Sequence, residues 1–168
     1  QGGAILFAEG LASGPMRPCF LADGSMMIGQ TGRGWYATGG FAHALQRIVW
    51  DGETVPGDIL RVASSREGFE IHFTKPLKKT ANINLVQVKS WFYTNTGKYG
   101  SPAHEKRNEE ITSAKFQRSN QSVAITVKDF SKKRSIDRLH YLKINTDKMF
   151  KDAAWKTLEV YYTLRELP

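Results

Sequence analysis

The stretch "TLEVYYTLR", residues 157–165, alternates apolar and polar side chains with a period of two. The apolar positions are Leu158, Val160, Tyr162 and Leu164. Successive side chains of a β-strand point to opposite faces of the sheet, so this pattern indicates a strand with one buried face. Glu159, Tyr161 and Arg165 are then expected on the solvent side.

Six further stretches between residues 58 and 145 have the same alternation. They are "DILRVAS", "FEIHFT", "INLVQVKSWFY", "EITSAKFQ", "SVAITVK" and "DRLHYLKIN". Seven short strands separated by turn residues are typical of an Ig-like or fibronectin-type antiparallel β-sandwich. We therefore predict an all-β sandwich domain over residues 58–168. Its core is predicted to contain Phe69, Ile71, Phe73, Val86, Val88, Val123, Ile125, Val127, Leu158, Val160 and Tyr162.

Residues 1–57 have a different composition, with many glycines between short apolar runs. The runs are "AILFAE", "MRPCFL", "SMMIGQ" and "LQRIVW", and "ADGS" between two of them is a hairpin signal. This is too little material for an independent core, so it predicts one propeller-blade-like unit followed by a linker, "DGETVPGD". Cys19, the one cysteine, lies in the apolar "MRPCFL" run and is predicted to be buried and inert.

The composition narrows the classes of partner. The chain carries 24 Lys and Arg against 16 Asp and Glu, a net charge of +8. Its basic residues are scattered, with one dense run, "SKKRS", at residues 131–135, so nucleic acid is not the favoured partner. No apolar run approaches the roughly 18 residues of a membrane span, and we predict no membrane partner. The four histidines lack metal-ligand spacing, and we predict no metal site.

Several motifs together carry a resemblance to a known family. In chain order they are "GPMRPCFLADGSMMIGQTGRGW", "LQRIVWDG", "GFEIHFTKPL", "WFYTNTGKYGSP" and "YYTLRELP". Their series resembles the C-terminal region of secreted bacterial glucose/sorbosone dehydrogenase-like proteins. In that family a six-bladed propeller of the PQQ type is followed by an Ig-like domain.

The resemblance implies a division of the chain and a location. It implies that Gly3 to Gly52 is the last propeller blade, that Ile59 to Leu167 is the Ig-like domain, and that the protein is periplasmic or extracellular. The quinone-binding and hydride-abstracting residues of the family lie mostly in earlier blades. We therefore expect no catalytic residue and no cofactor in this chain, with PQQ and calcium belonging to the missing parent propeller. The remainder of that propeller is the implied protein partner.

The aromatic stretch "SWFYTNTGKYGSP" supplies the candidate site. Alternation in "INLVQVKSWFY" places Phe92 in the core and four side chains on the polar face: Gln87, Lys89, Trp91 and Tyr93. Tyr99 follows in a glycine-bracketed turn. Aromatic rings can stack on the C–H face of a sugar while polar neighbours reach its hydroxyls, so these five residues are a candidate carbohydrate site. Packing of the rings under the Tyr99 turn or against the blade is the alternative.

Three functional hypotheses result. The first is a non-catalytic C-terminal accessory region of a secreted sugar-dehydrogenase-like protein, giving structural support and carbohydrate recognition. The second is a stand-alone carbohydrate-binding module. The third is a basic domain that binds acidic polysaccharide or nucleic acid. Stacking on neutral sugars is nearly independent of salt, whereas charge-driven binding weakens steeply as salt rises.

Overall fold

The computed structural model describes residues 2–32, 39–78, 83–97, 99–117, 120–131, 135–146 and 148–168. The described chain is all-β, as predicted, with twelve strands in three antiparallel sheets and one 3₁₀ turn at Ile83–Leu85. The strands are β1 Gly2–Ile5, β2 Pro15–Phe20, β3 Met26–Thr31, β4 His43–Ile48, β5 Ile59–Ser64, β6 Gly68–Phe73, β7 Val86–Tyr93, β8 Ala103–Glu109, β9 Ile111–Gln117, β10 Ser122–Val127, β11 Arg138–Ile144 and β12 Leu158–Leu164. No helix among the described residues is long and apolar enough to cross a membrane. Residues 132–134 of the basic run lie outside the described residues.

The chain divides into two compact units. The first combines Gln1–Leu6 with Val55–Pro168, and the second is Phe7–Thr54. In the first unit a five-stranded sheet has the order β1-β12-β11-β7-β8, and a four-stranded sheet has the order β5-β6-β10-β9. The two sheets share one apolar core, so this unit is a β-sandwich. All seven predicted strands are present, and β1 and β8 complete the sheets.

The core of the sandwich follows the period-two alternation. All eleven predicted core residues are buried. Phe69 lies at the centre, and its ring makes edge-to-face contacts with Phe130 at 5.0 Å, His140 at 5.3 Å and Tyr162 at 5.5 Å between centroids. Such pairs add roughly 0.5–1.5 kcal/mol each beyond the burial of area. The alternation therefore predicts which face of each strand meets the other sheet.

Strand β1 belongs to the sandwich, which differs from the predicted division at residue 57. It pairs with β12 from Gly2 opposite Thr163 to Ile5 opposite Val160. A Cβ atom on Gly3 would lie 3.1 Å from the ring of Tyr162, so glycine allows the close approach of the two strands. Of the "AILFAE" run, Ala4 and Ile5 therefore lie in an edge strand of the five-stranded sheet, whereas Leu6 to Glu9 form no strand.

The second unit is a three-stranded sheet, β2-β3-β4. The "ADGS" hairpin prediction is confirmed: Gly24 has φ +80°, and Asp23 accepts hydrogen bonds from the amide and hydroxyl of Ser25. The central strand buries Met26 and Ile28, while many other large apolar side chains are exposed. They include Phe7, Met16, Phe20, Phe41, Leu45, Val49 and Trp50.

The prediction that Cys19 is buried is wrong. All six residues of β2 are exposed, and the Cys19 thiol is exposed with them. Strand β2 lies at the edge of its sheet, pairing with β3 on one side. An apolar run in the sequence predicts a strand, but burial also needs a second layer over that strand.

Candidate functional site

The site lies on the outer face of the five-stranded sheet. Along β7, Val86, Val88 and Ser90 are buried on the core side. The alternate positions turn outward: Gln87 and Lys89 are exposed, Trp91 is half-buried and Tyr93 is 51% exposed. The predicted alternation of β7 therefore holds, with Trp91 and Tyr93 on the solvent side.

Two further tyrosines join this pair from neighbouring strands. Tyr141 on β11 lies opposite both Lys89 on β7 and Tyr161 on β12. Ring centroids are 6.5 Å apart for Trp91 and Tyr93, 6.2 Å for Trp91 and Tyr141, and 5.2 Å for Tyr141 and Tyr161. We call these four residues the aromatic face. It spans three adjacent strands and is continuous by ring contact.

A single carboxylate fixes two of the rings. Tyr141 donates its hydroxyl to Oε1 of Glu159 at 2.7 Å, and Tyr161 donates to Oε2 at 3.1 Å. Burial first, then the hydrogen bond to Glu159, and then the Glu159 charge raise the pKa of both phenols, with the stronger effect at Tyr141. Both hydroxyls therefore stay protonated, and both oxygens of this carboxylate are engaged.

These raised pKa values predict a loss of stability in alkali. In the unfolded chain a tyrosine loses its proton near pH 10.0, whereas the folded chain holds the proton at Tyr141 and Tyr161 to higher pH. The unfolded state then binds fewer protons, so the free energy of unfolding falls as pH rises above about 10. Glu159→Gln should lower both phenol pKa values while burial keeps that of Tyr141 raised. Titration of tyrosinate absorbance in the two proteins checks this, and identical curves would contradict the assignment.

A shallow cleft of about 480 Å³ is lined by the aromatic face and by residues of β8. Besides the four rings it is lined by Lys89, Ala103, Lys106, Arg107 and Asn108. Arg107 forms an ion pair with Glu105. Within the described part of the chain no ion pair engages Lys89 or Lys106. The cleft thus combines apolar ring surface with two lysines whose charges are open to a ligand.

A second depression, of about 560 Å³, shares Lys89 and Asn108 with this cleft. Asn84 and Gln87 also line it, so its polar lining is rich in side-chain amides. An amide both donates and accepts hydrogen bonds, which suits a hydroxyl-rich ligand.

Of the five predicted site residues, Lys89, Trp91 and Tyr93 lie together in the cleft, and Gln87 lines the adjoining depression. Tyr99 does not join them. Its side chain is 98% exposed and makes no ring contact with another described aromatic side chain. Tyr141 and Tyr161 were not predicted as site residues. The alternation in "DRLHYLKIN" and "TLEVYYTLR" places both tyrosines on the outward face of their strands. The sequence does not show, however, that these strands lie beside β7.

The prediction that Phe92 is a core residue holds in part. Its ring is half-buried, stacked on His104 at 5.5 Å between centroids, with the guanidinium carbon of Arg138 at 5.6 Å from the ring centroid. The interior here is polar: Arg138 is buried and donates from Nε to the Ser90 hydroxyl at 2.9 Å. The Arg138 guanidinium and its hydrogen-bond partners fill this end of the sandwich, so Phe92 does not reach the apolar core.

Trp91 is anchored by packing alone. Its indole Nε1 is enclosed by protein atoms and has no hydrogen-bond acceptor among the described residues. Replacing the indole by a phenyl ring therefore breaks no hydrogen bond, and Trp91→Phe is a conservative variant for experiments.

A scan of protein-family models and searches of curated proteins and of solved structures find no match to this chain. Among the described residues, no group of three or more His, Cys, Asp or Glu side chains is arranged to hold a metal ion.

Proposed function

We propose that this chain is a non-catalytic carbohydrate-recognition region, the C-terminal accessory part of a secreted sugar-dehydrogenase-like protein. The observation that carries the proposal is the aromatic face, a continuous group of four rings on the outer side of a sheet. An exposed cluster of large rings rimmed by polar groups marks an interaction site on a soluble domain.

The chemistry of the face favours a sugar. Trp and Tyr present a rigid, partly apolar surface at a low cost in conformational entropy. Such a surface matches the C–H face of a pyranose, and lysine and amide side chains beside it can reach the ring hydroxyls. A binding site with aromatic walls and a few placed polar groups is the usual form for small organic ligands.

The strand order supports the Ig-like part of the proposal. In Ig-like domains one sheet has the order A-B-E-D, and the other contains C, F and G, with C′ added beside C in some types. The order β5-β6-β10-β9, opposite β12-β11-β7-β8, corresponds strand for strand when β5 is taken as strand A. Strand β1 is then an addition beside the last strand of the Ig-like order.

The second unit supports a parent propeller. Three strands with several large apolar side chains exposed, such as Phe20, Leu45 and Trp50, are what a blade presents when neighbouring blades would cover it. On this proposal the parent is periplasmic or extracellular, and any quinone chemistry belongs to its other blades. If the sandwich instead acts as a stand-alone carbohydrate-binding module, the same aromatic face would bind the sugar.

The experiment is a glycan array followed by affinity electrophoresis in gels that contain the best polysaccharide. Tyr161→Ala should weaken retention in the gel, because it removes one ring of the aromatic face and the hydrogen bond to Oε2 of Glu159. Tyr99→Ala is the matched control: it removes an exposed tyrosine outside the cleft, so retention should not change. Failure of the wild-type chain to bind any glycan, or equal losses for both variants, would contradict the proposal.

A further inference from the structure

We propose that the ligand is an acidic polysaccharide that lies as an extended chain along β7 and β8. This inference rests on the proposed function, because it uses the aromatic face as the centre of the binding track. It adds the length of the ligand and the sign of its charge.

Three adjoining depressions define the track. The amide-lined depression shares Lys89 and Asn108 with the aromatic cleft. At the other end, a depression of about 360 Å³ shares Tyr93 and Arg107 with the same cleft. All three follow β7, whose eight residues span roughly 25 Å at ~3.3 Å per residue. That length is suited to several linked sugar units and exceeds what a monosaccharide would fill.

The charges along the track favour an anion. Each carboxylate on it already has a partner: Glu159 accepts two tyrosine hydroxyls, Glu109 accepts the Ser90 hydroxyl, and Glu105 pairs with Arg107. Asp137, at the far end, pairs with Arg165. Lys89 and Lys106 have no ion-pair partner in the described chain. The charge left open beside the rings is therefore positive, and uronate carboxylates would complement it.

The amide end distinguishes a sugar chain from a nucleic acid. Single-stranded nucleic acid is held by a positively charged groove that follows its phosphates, with bases stacked on rings. Here the depression beyond Lys89 is lined by the amides of Gln87 and Asn108 and by the Glu109 carboxylate, and such a lining matches sugar hydroxyls better than a run of phosphates. The two lysines lie beside the rings, where carboxylates borne on a stacked sugar would lie.

The test uses the full chain and three probes: an alginate hexasaccharide, cellohexaose as a neutral chain of equal length, and a single-stranded oligonucleotide. Affinities are measured by calorimetry at low and high salt. We expect alginate to bind more tightly than cellohexaose, and to lose affinity as salt rises. Lys106→Gln should weaken alginate binding about fivefold, the scale of one exposed charge pair, and weaken binding of the neutral chain less, because the glutamine amide still donates a hydrogen bond to a sugar hydroxyl. Lys115→Gln, an exposed lysine on β9 in the other sheet, makes the same charge change and should alter neither affinity.

The outcomes separate this inference from the proposed function. Equal affinity for the two saccharides, with no effect of Lys106→Gln, would overturn the acidic ligand and leave sugar recognition standing. If the chain binds only the oligonucleotide, or none of the three probes, both the acidic polysaccharide ligand and the proposed carbohydrate recognition are overturned. The length of the track is tested with a fourth probe, a uronate monosaccharide: if it binds as tightly as the alginate hexasaccharide, the extended track is overturned.

Discussion

Trp91→Ala should weaken saccharide binding by at least about 30-fold, the effect of losing a central contact worth about 2 kcal/mol. Trp91 is the ring that joins Tyr93 on the same strand to Tyr141 on the next, so its removal divides the aromatic face. Trp91→Phe keeps an aromatic surface and breaks no hydrogen bond, and it should lose far less affinity. Isothermal titration with the saccharide that the glycan array selects measures all three proteins.

The same variants separate binding from packing. Trp91 is half-buried, so its truncation should lower the free energy of unfolding by less than the 3–5 kcal/mol typical of a fully buried Trp. Urea unfolding of wild type and Trp91→Ala measures this difference. A loss of about 3–5 kcal/mol, together with a wild-type chain that binds no saccharide, would mean that the aromatic face is a structural interface.

Phe69→Ala should destabilise the sandwich by about 3–5 kcal/mol, because truncation of a buried Phe removes apolar contacts and leaves a cavity. Phe69 has no exposed surface, and its ring contacts those of Phe130, His140 on β11 and Tyr162 on β12. The measurement is urea unfolding, and a midpoint shift with an unchanged slope would show that stability alone has changed.

Leu60→Ala is the matched control for this core substitution. Leu60 lies on β5 in the same sheet and is 65% exposed. Its substitution also removes a large apolar side chain. Its truncation should alter the free energy of unfolding by no more than about 0.5 kcal/mol. Comparable losses in Phe69→Ala and Leu60→Ala would contradict the assignment of the core.

The sandwich strands that the sequence predicted are those with one apolar and one polar face. Strand β8, "AHEKRNE", was missed because it has almost no apolar side chain. It is an edge strand that pairs with β7 alone and buries little, so no hydrophobic alternation was needed. Strand β1 was assigned to the blade because its partner, β12, lies at the opposite end of the sequence, and pairing between distant segments leaves no local pattern.

The candidate site was predictable to the extent that it lies on one strand. Alternation placed Trp91 and Tyr93 outward, and the structure agrees. Tyr141 and Tyr161 reach the same face through the strand order β12-β11-β7, which local periodicity does not encode. Tyr99 was included for its closeness along the chain, but the turn leaves its ring in solvent. Cys19 shows the same limit, since local hydrophobicity does not show whether a second layer covers a strand.

The most direct test of carbohydrate recognition by the aromatic face is an NMR titration of the ¹⁵N-labelled chain with the selected saccharide. The chain has four Trp residues, and Trp91→Phe identifies the indole N–H signal of Trp91. We predict that this signal shifts with the same saturation curve as the calorimetric binding, while that of Trp155, packed against the sandwich core, stays in place. A saccharide that saturates the chain while the Trp91 signal does not move, or that shifts Trp50 in the second unit instead, would contradict it.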